Sequence, residues 1–320
     1  MRFLRYWMCA AAFASGAAFA QDFPTGPIKI VTPFPPGGAS DLYARAVGDA
    51  LQRAWNQPAV IENRPGASGT IGAEVAAKSP ADGHTLLIGA ASLHTILPQL
   101  NERMAQTQKA LVPVSVVGVN PSYVVVPASL PVNTLKELIA YVKAAPGKHS
   151  YASAGAGTSQ HVFVELFKQT AGLFIVHIPY RGSGPMMTDL LAGRVIMGIE
   201  QGPAVLPQAK GGKLKVLAVT SPKRSLALPE VPTVAEAGLP GFEASTWFAI
   251  TAPAGTPASV ISRLNAEIVK GLAMPDLRNR LLAAGVEPET STPEALGERI
   301  RRDTEKWAAV IKRASISMDN

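Results

Sequence analysis

Ile28-Lys29-Ile30-Val31-Thr32-Pro33-Phe34-Pro35-Pro36-Gly37-Gly38-Ala39-Ser40-Asp41 runs from a strand, through a turn, into a helix. Ile28 to Val31 is a short β-branched apolar run, and Pro33 to Gly38 ends it. From about Ser40 to Trp55, the residues Ala44, Val47, Leu51 and Trp55 recur on one helical face. Further along, Val60-Ile61-Glu62 reads as a second strand, Thr70 to Ala77 as a helix and Thr85 to Gly89 as a third strand, which completes a β-α-β-α-β unit. This alternation predicts an α/β fold with mainly parallel strands.

A second block follows. Val114 to Val119 and Tyr123 to Val126 are strands split by Asn120-Pro121, where the chain can cross between domains. Thr134 to Ala144 reads as a helix with Thr134 near its N-cap and Pro146-Gly147 as its stop. Ser150 to Ala154, Phe174 to Ile178, Val195 to Ile199 and Leu214 to Val219 are further strands, with helices over Thr158 to Thr170 and Pro185 to Ala192. The aromatic strand Thr246 to Ile250 comes next, and a last helix carries Leu296, Ile300, Trp307 and Ile311 as one apolar stripe. The expected organisation is two lobes around a cleft, with residues 21–121 plus 220–320 in one lobe and 122–219 in the other.

The 320-residue chain is 47% hydrophobic and 17% charged, which excludes intrinsic disorder. Arg2 and Arg5, the apolar stretch Tyr6 to Phe13 and the tripeptide Ala18-Phe19-Ala20 form the three parts of a secretory signal peptide, with cleavage expected after Ala20. The apolar stretch is too short to span a bilayer, and Tyr6-Trp7-Met8 before Cys9 does not resemble a lipobox. Cleavage removes Cys9, the single cysteine, and lowers the formal charge from +7 to +5. A mature chain without thiols suits an oxidising compartment, so the periplasm is the expected location. The remaining basic residues are scattered, which argues against nucleic acid as a partner.

The first loop has the make-up of an anion seat. Glycines permit close approach of a ligand, and the helix behind them presents unpaired N–H groups and the positive end of its dipole. Ser40 or Asp41 can equally be the N-cap. Ser153-Ala154-Gly155-Ala156-Gly157-Thr158-Ser159-Gln160-His161 repeats the construction in the second block, with Thr158 and Ser159 as donors. His161 either faces the cleft or is a structural histidine. Gly155-Ala156-Gly157 lacks the third glycine of a dinucleotide fingerprint. No G-x-S-x-G elbow, Walker A lysine or H-x-x-x-H pair occurs, and His84, His94, His149, His161 and His177 are dispersed. The expectation is a binding protein without enzymatic activity, cofactor or metal.

Pro35 to Asp41, Glu62-Asn63-Arg64-Pro65-Gly66-Ala67-Ser68-Gly69-Thr70-Ile71-Gly72 and Ser79-Pro80-Ala81-Asp82-Gly83-His84-Thr85-Leu86 closely resemble the tripartite tricarboxylate transporter receptors, the Bug family of periplasmic binding proteins. Tyr151 to His161, Pro179-Tyr180-Arg181-Gly182, Asp189 to Gly193 and Ala252 to Pro257 follow in the family's order. The resemblance implies a type II, Venus flytrap fold that holds a small carboxylated molecule between lobes. It also implies delivery to a membrane permease of one large and one small subunit. Carried onto this sequence, the binding roles fall on Phe34, Gly38, Ala39, Ser40 and Asp41 in the first loop, and on Ala154, Gly155, Thr158 and His161 in the second. Ala90, Ser92, Ser153, Ser159, Tyr180 and Glu200 are further lining candidates. The chain departs from the family's pattern over Asn101 to Val114, near the hinge, and at Val195 to Glu200. Glu200 can greet a ligand amine, repel a second carboxylate, or be a solvated strand end. Phe34, Trp247 and Tyr180 would supply a flat wall if the ligand is aromatic. The receptor is expected to act as a monomer; an orphan sensor for a signalling partner and an exported hydrolase are the alternatives.

Overall fold

The computed structural model describes residues 23–317, so the expected signal peptide and its cleavage site lie outside the described residues. The strands are β1 (Ile28–Thr32), β2 (Ala59–Asn63), β3 (Thr85–Ala90), β4 (Leu111–Asn120), β5 (Ser122–Pro127), β6 (Ser150–Ser153), β7 (Val176–Pro179), β8 (Met197–Gln201), β9 (Leu214–Val219) and β10 (Thr246–Pro253). They form two five-stranded sheets, ordered β2-β1-β3-β10-β4 and β7-β6-β8-β5-β9. In the first sheet β1 pairs parallel with β2 and β3, while β10 runs antiparallel to β3 and β4. The second sheet repeats the plan, with β6 parallel to β7 and β8 and with β5 antiparallel to β8 and β9. β3 and β10 are buried along their whole lengths. Continuous apolar runs of this kind are what strands covered on both faces require.

The chain crosses between sheets at Pro121 and again after Val219, and the crossings are tied together. Thr220 N–H donates to the Ser122 carbonyl at 2.8 Å, and its hydroxyl is 3.0 Å from the same oxygen and 2.5 Å from the Ala244 carbonyl. The two connections therefore run side by side where the lobes join, at Ser122 and Thr220, the position a hinge would occupy.

Packing crosses the line drawn at residue 220. Val234, Phe242, Ala244, Trp307, Val310 and Ile316 belong to the core cluster around the second sheet, beside Phe163 and Phe167. The helix Pro293–Ala314 therefore spans both lobes. Leu296 packs with Trp247 and Val116 of the first sheet, while Trp307 stacks on Phe163 at 5.2 Å between ring centroids. Three short helices, Ala91–Thr95, Leu97–Leu100 and Glu102–Lys109, fill the stretch before β4 where sequence patterning gave no element. They are held by burial of Leu93, Leu97 and Met104 more than by propensity.

Candidate ligand-binding site

The helix after β1 begins at Ala39, with Gly38 as its N-cap and no side-chain capping bond. Neither Ser40 nor Asp41 is the cap, because the helix already begins at Ala39 and both side chains bond elsewhere. Ser40 Oγ lies 2.8 Å from Thr32 Oγ1 at the end of β1. Asp41 accepts from the Gly37 N–H (3.2 Å), from Arg45 Nε (2.9 Å) and Nη2 (3.2 Å), and from Asn63 Nδ2 (3.3 Å). Asn63 Nδ2 also donates to the Phe34 carbonyl at 3.0 Å. Asp41 is thus the brace of the first loop. Burial pushes its carboxyl pKa up, but the Arg45, Gly37 and Asn63 hydrogen bonds outweigh that and leave it below the usual value. The first backbone N–H groups of the helix carry no side-chain cap, which is the arrangement an anion needs.

Gly72 backs the same loop so closely that a Cβ there would lie 2.8 Å from Pro33 Cα and 2.9 Å from the Arg64 carbonyl oxygen. Ala90 is the N-cap of Ala91–Thr95 and Ser92 sits buried in its first turn, so β3 contributes a third strand-to-helix turn at this sheet edge.

The second loop is built differently. Thr158 caps the helix Ser159–Ala171, its hydroxyl 3.5 Å from the His161 N–H and 2.7 Å from the Gly155 carbonyl. His161 Nδ1 accepts from the Gly157 N–H at 3.2 Å, which places the proton of the neutral ring on Nε2. Ser153 Oγ accepts from the Gly155 N–H at 3.2 Å and lies 2.6 Å from His177 Nε2. His161 stacks on His177 at 3.9 Å between centroids, and His177 stacks on Tyr151 at 4.8 Å. Burial pushes the His161 pKa down to about 4, and burial together with neighbouring His161 pushes that of His177 down to about 3. Both rings are therefore neutral at pH 7. Tyr180 lies alongside, its N–H donating to the Ser153 carbonyl (3.0 Å) and its hydroxyl to Asp189 (2.8 Å).

Two contacts join the lobes at these loops. Ser68 Oγ, on the segment after β2, donates to the Ala156 carbonyl at 3.3 Å. Ser159 Oγ lies 3.2 Å from Thr246 Oγ1 at the start of β10. Nearer the hinge, Tyr43 Oη donates to Asn120 Oδ1 (2.7 Å), and Asn120 Nδ2 donates to Gln201 Oε1 (3.2 Å). Glu200, the residue before the last of β8, lies between Gln160 and this group, 1% exposed. It is not a solvated strand end.

The structure brings the first-loop residues, the second-loop residues, Tyr180 and Glu200 to the strand ends that meet near the hinge. It removes Trp247 from any cleft wall: the ring is fully buried, stacks on His94 at 5.8 Å, and donates from Nε1 to Asp303 at 2.7 Å. Ser68, Asn63, Gln160, His177 and Thr246 carried no signal of a role, since each acts through a partner distant in sequence.

The sequence model of the tripartite tricarboxylate transporter family receptor matches residues 43–316. The chain belongs to that receptor family. The protein BugT of Bordetella pertussis is 39% identical over 308 residues, spanning 95% of this chain and 94% of BugT. A Rhodopseudomonas palustris protein with adipate superposes on the receptor with a TM-score of 0.87 at 36% identity, covering 92% of this chain and 99% of that one. MatC from the same organism, with bound malate, has a TM-score of 0.82 at 29% identity, covering 90% of the receptor and 100% of MatC. The receptor thus has the two-lobed periplasmic-binding-protein fold over its described length.

Proposed function

We propose that this receptor captures a small carboxylated molecule between its lobes in the periplasm and passes it to a tripartite tricarboxylate-type permease with one large and one small subunit. In this reading it is exported by a signal peptide cleaved after Ala20 and works as a monomer, without chemistry of its own. The observation that carries it is the first loop, where a side-chain-uncapped helix start is held rigid by the Asp41–Asn63–Arg45 brace. A carboxylate placed there gains the helix-end N–H groups and dipole, a term of about 0.3–1 kcal/mol when exposed and up to about 2 when partly buried. Adipate and malate in two related structures support the carboxylate class. The hinge of two adjacent crossings supports closure around the ligand.

The test is calorimetry and thermal unfolding of the mature protein with mono-, di- and tricarboxylates beside their neutral amides. Carboxylates should raise the melting temperature, because a ligand at 100 times its Kd stabilises the native state by about 2.7 kcal/mol. Stabilisation by the amides alone would overturn the reading. Mass measurement of the exported chain tests the start at Gln21.

A further inference from the structure

Glu200 is a buried acid with half of its hydrogen-bonding capacity unused. Its Oε1 accepts from the Gln201 N–H at 2.7 Å and from Gln160 Nε2 at 3.2 Å. Its Oε2 is buried with no hydrogen bond of acceptable geometry, while the Ser183 hydroxyl lies close enough to the carboxyl to favour its ionised form without supplying a charge. None of the ion pairs among the described residues involves Glu200, and no cation offsets the burial that raises its pKa. An unpartnered buried carboxylate oxygen is costly, more so than an unpartnered neutral polar group, because burial removes its water without replacing it. Such a group in a binding protein calls for a partner that arrives with the ligand.

Its position supports this. Gln160, on one side, lies in the first turn of the helix that follows the second loop. Gln201, on the other, is bonded to Asn120 at the first crossing between the lobes. Glu200 therefore stands between the second loop and the hinge, at the C-terminal end of β8, which runs parallel to loop-bearing β6. In α/β sheets that strand edge is where ligands are received.

We infer that Glu200 makes the receptor selective for a carboxylate that also carries an ammonium group, an amino acid or ω-amino acid, with the ligand's N–H donors on Oε2. The inference rests on the reading of the first loop as the carboxylate seat. A ligand ammonium supplies both a charged hydrogen-bond donor and the missing counter-charge, and it favours the ionised form of Glu200 in the complex. A second ligand carboxylate would instead meet a like charge. The ligand class is thereby distinct from adipate and malate, the molecules present in the two relatives.

The experiment is isothermal titration of the mature receptor with matched pairs: succinate and aspartate, butyrate and 4-aminobutyrate, adipate and 2-aminoadipate. The amino member should bind at least tenfold tighter in one or more pairs. Glu200→Gln should abolish that preference, weakening the amino member tenfold or more, changing butyrate less than threefold and binding the plain dicarboxylates at least as well as the parent does. Glu200→Asp keeps the charge one methylene short, should give an intermediate ratio, and guards against misfolding of the first variant. Plain acids binding as well as their amino counterparts in every pair, or a ratio untouched by Glu200→Gln, would overturn the inference and leave the carboxylate-receptor reading standing. Binding by neither series while neutral amides bind would overturn both.

Discussion

The two strand-to-helix loops share a plan but differ in what occupies the helix start. After β1 the helix is capped by Gly38 alone, and the nearby side chains Ser40 and Asp41 are turned to Thr32, Arg45, Asn63 and Gly37. After β6 the loop bonds itself: Thr158 receives the His161 N–H, His161 receives the Gly157 N–H, and Ser153 receives the Gly155 N–H. One seat keeps its donors for an anion, while the other uses several of its own to fix its shape. In the proposed function, the first loop would confer affinity for the carboxylate and the second would present a preformed wall for the lobes to close against.

Removing the first brace should have the largest effect. Asp41→Ala leaves the Gly37 N–H, Asn63 and Arg45 without their shared acceptor, a loss of about 1–3 kcal/mol. Denaturant unfolding should show that loss, and carboxylate affinity should fall more than tenfold because the helix start is no longer held. Asp41→Asn, which retains one acceptor oxygen, should fall between. Unchanged affinity in Asp41→Ala would mean that the first loop needs no brace and the contrast between the loops is cosmetic.

Acid should separate the loops next. His161 and His177 are neutral in the fold, with pKa values of about 4 and about 3 against an ordinary 6.5. The unfolded chain therefore takes up protons first as pH falls through about 6.5, and stability is lost from there down to the folded values. Asp41 has the opposite charge and a lowered pKa, so its contribution persists until pH falls below the usual carboxylate range. His94, buried in the first lobe with its pKa also pushed down to about 4, adds a parallel acid sensitivity there. His177→Gln isolates the second loop. Between pH 6 and 4 the variant should lose stability less steeply than the parent, by about 1.4 kcal/mol per pH unit for the one proton removed. Glu165, Lys168 and Tyr151 pack around the pair and remain in place, so equal slopes would show that the stacked histidines do not titrate as a buried unit.

The parts of this site that sequence reveals are those set by local rules. Strand, turn and helix around Pro33 to Asp41 follow from a β-branched run, glycines and a 3.6-residue apolar period, all within thirty residues. The choice of Gly38 over Ser40 or Asp41 as cap is not wholly local, because Thr32 and Asn63, on β1 and β2, join Arg45 one turn along the helix in deciding where those side chains turn. His161 and His177 lie on different elements, so nothing in their spacing announces a 3.9 Å stack. Trp247 misleads for a related reason: an aromatic strand beside a cleft reads as a wall, yet Asp303 on the last helix draws the indole into the core.

Thr158→Ala should cost about 1 kcal/mol, within the 0.5–2 typical of a lost N-cap, and should loosen the second loop without touching the first. Amide exchange at His161 and Gly157 reports the loosening directly. An equal rise in exchange in the first loop would mean that the two seats fold as one cooperative unit.

The smallest effect, and the sharpest in sign, belongs to Ser68. Its hydroxyl donates to the Ala156 carbonyl across the lobes at 3.3 Å, so the contact exists only when the loops are close. Ser68 and Ala67 also hold φ angles of 54° and 47°, between Gly66 at 131° and Gly69 at 100°. A left-handed backbone costs a non-glycine residue roughly 1–2 kcal/mol. Ser68→Ala removes the hydroxyl but keeps the backbone strain, so ligand affinity should fall severalfold while stability stays within about 0.5 kcal/mol. Ser68→Gly removes both, and should stabilise the receptor by up to about 1 kcal/mol while weakening ligand binding as much as alanine does. Stability and affinity moving in opposite directions at one residue is the signature of a contact that serves closure. Parallel losses in both would instead make this segment ordinary packing, and would leave the second loop as a wall with nothing fastened to it.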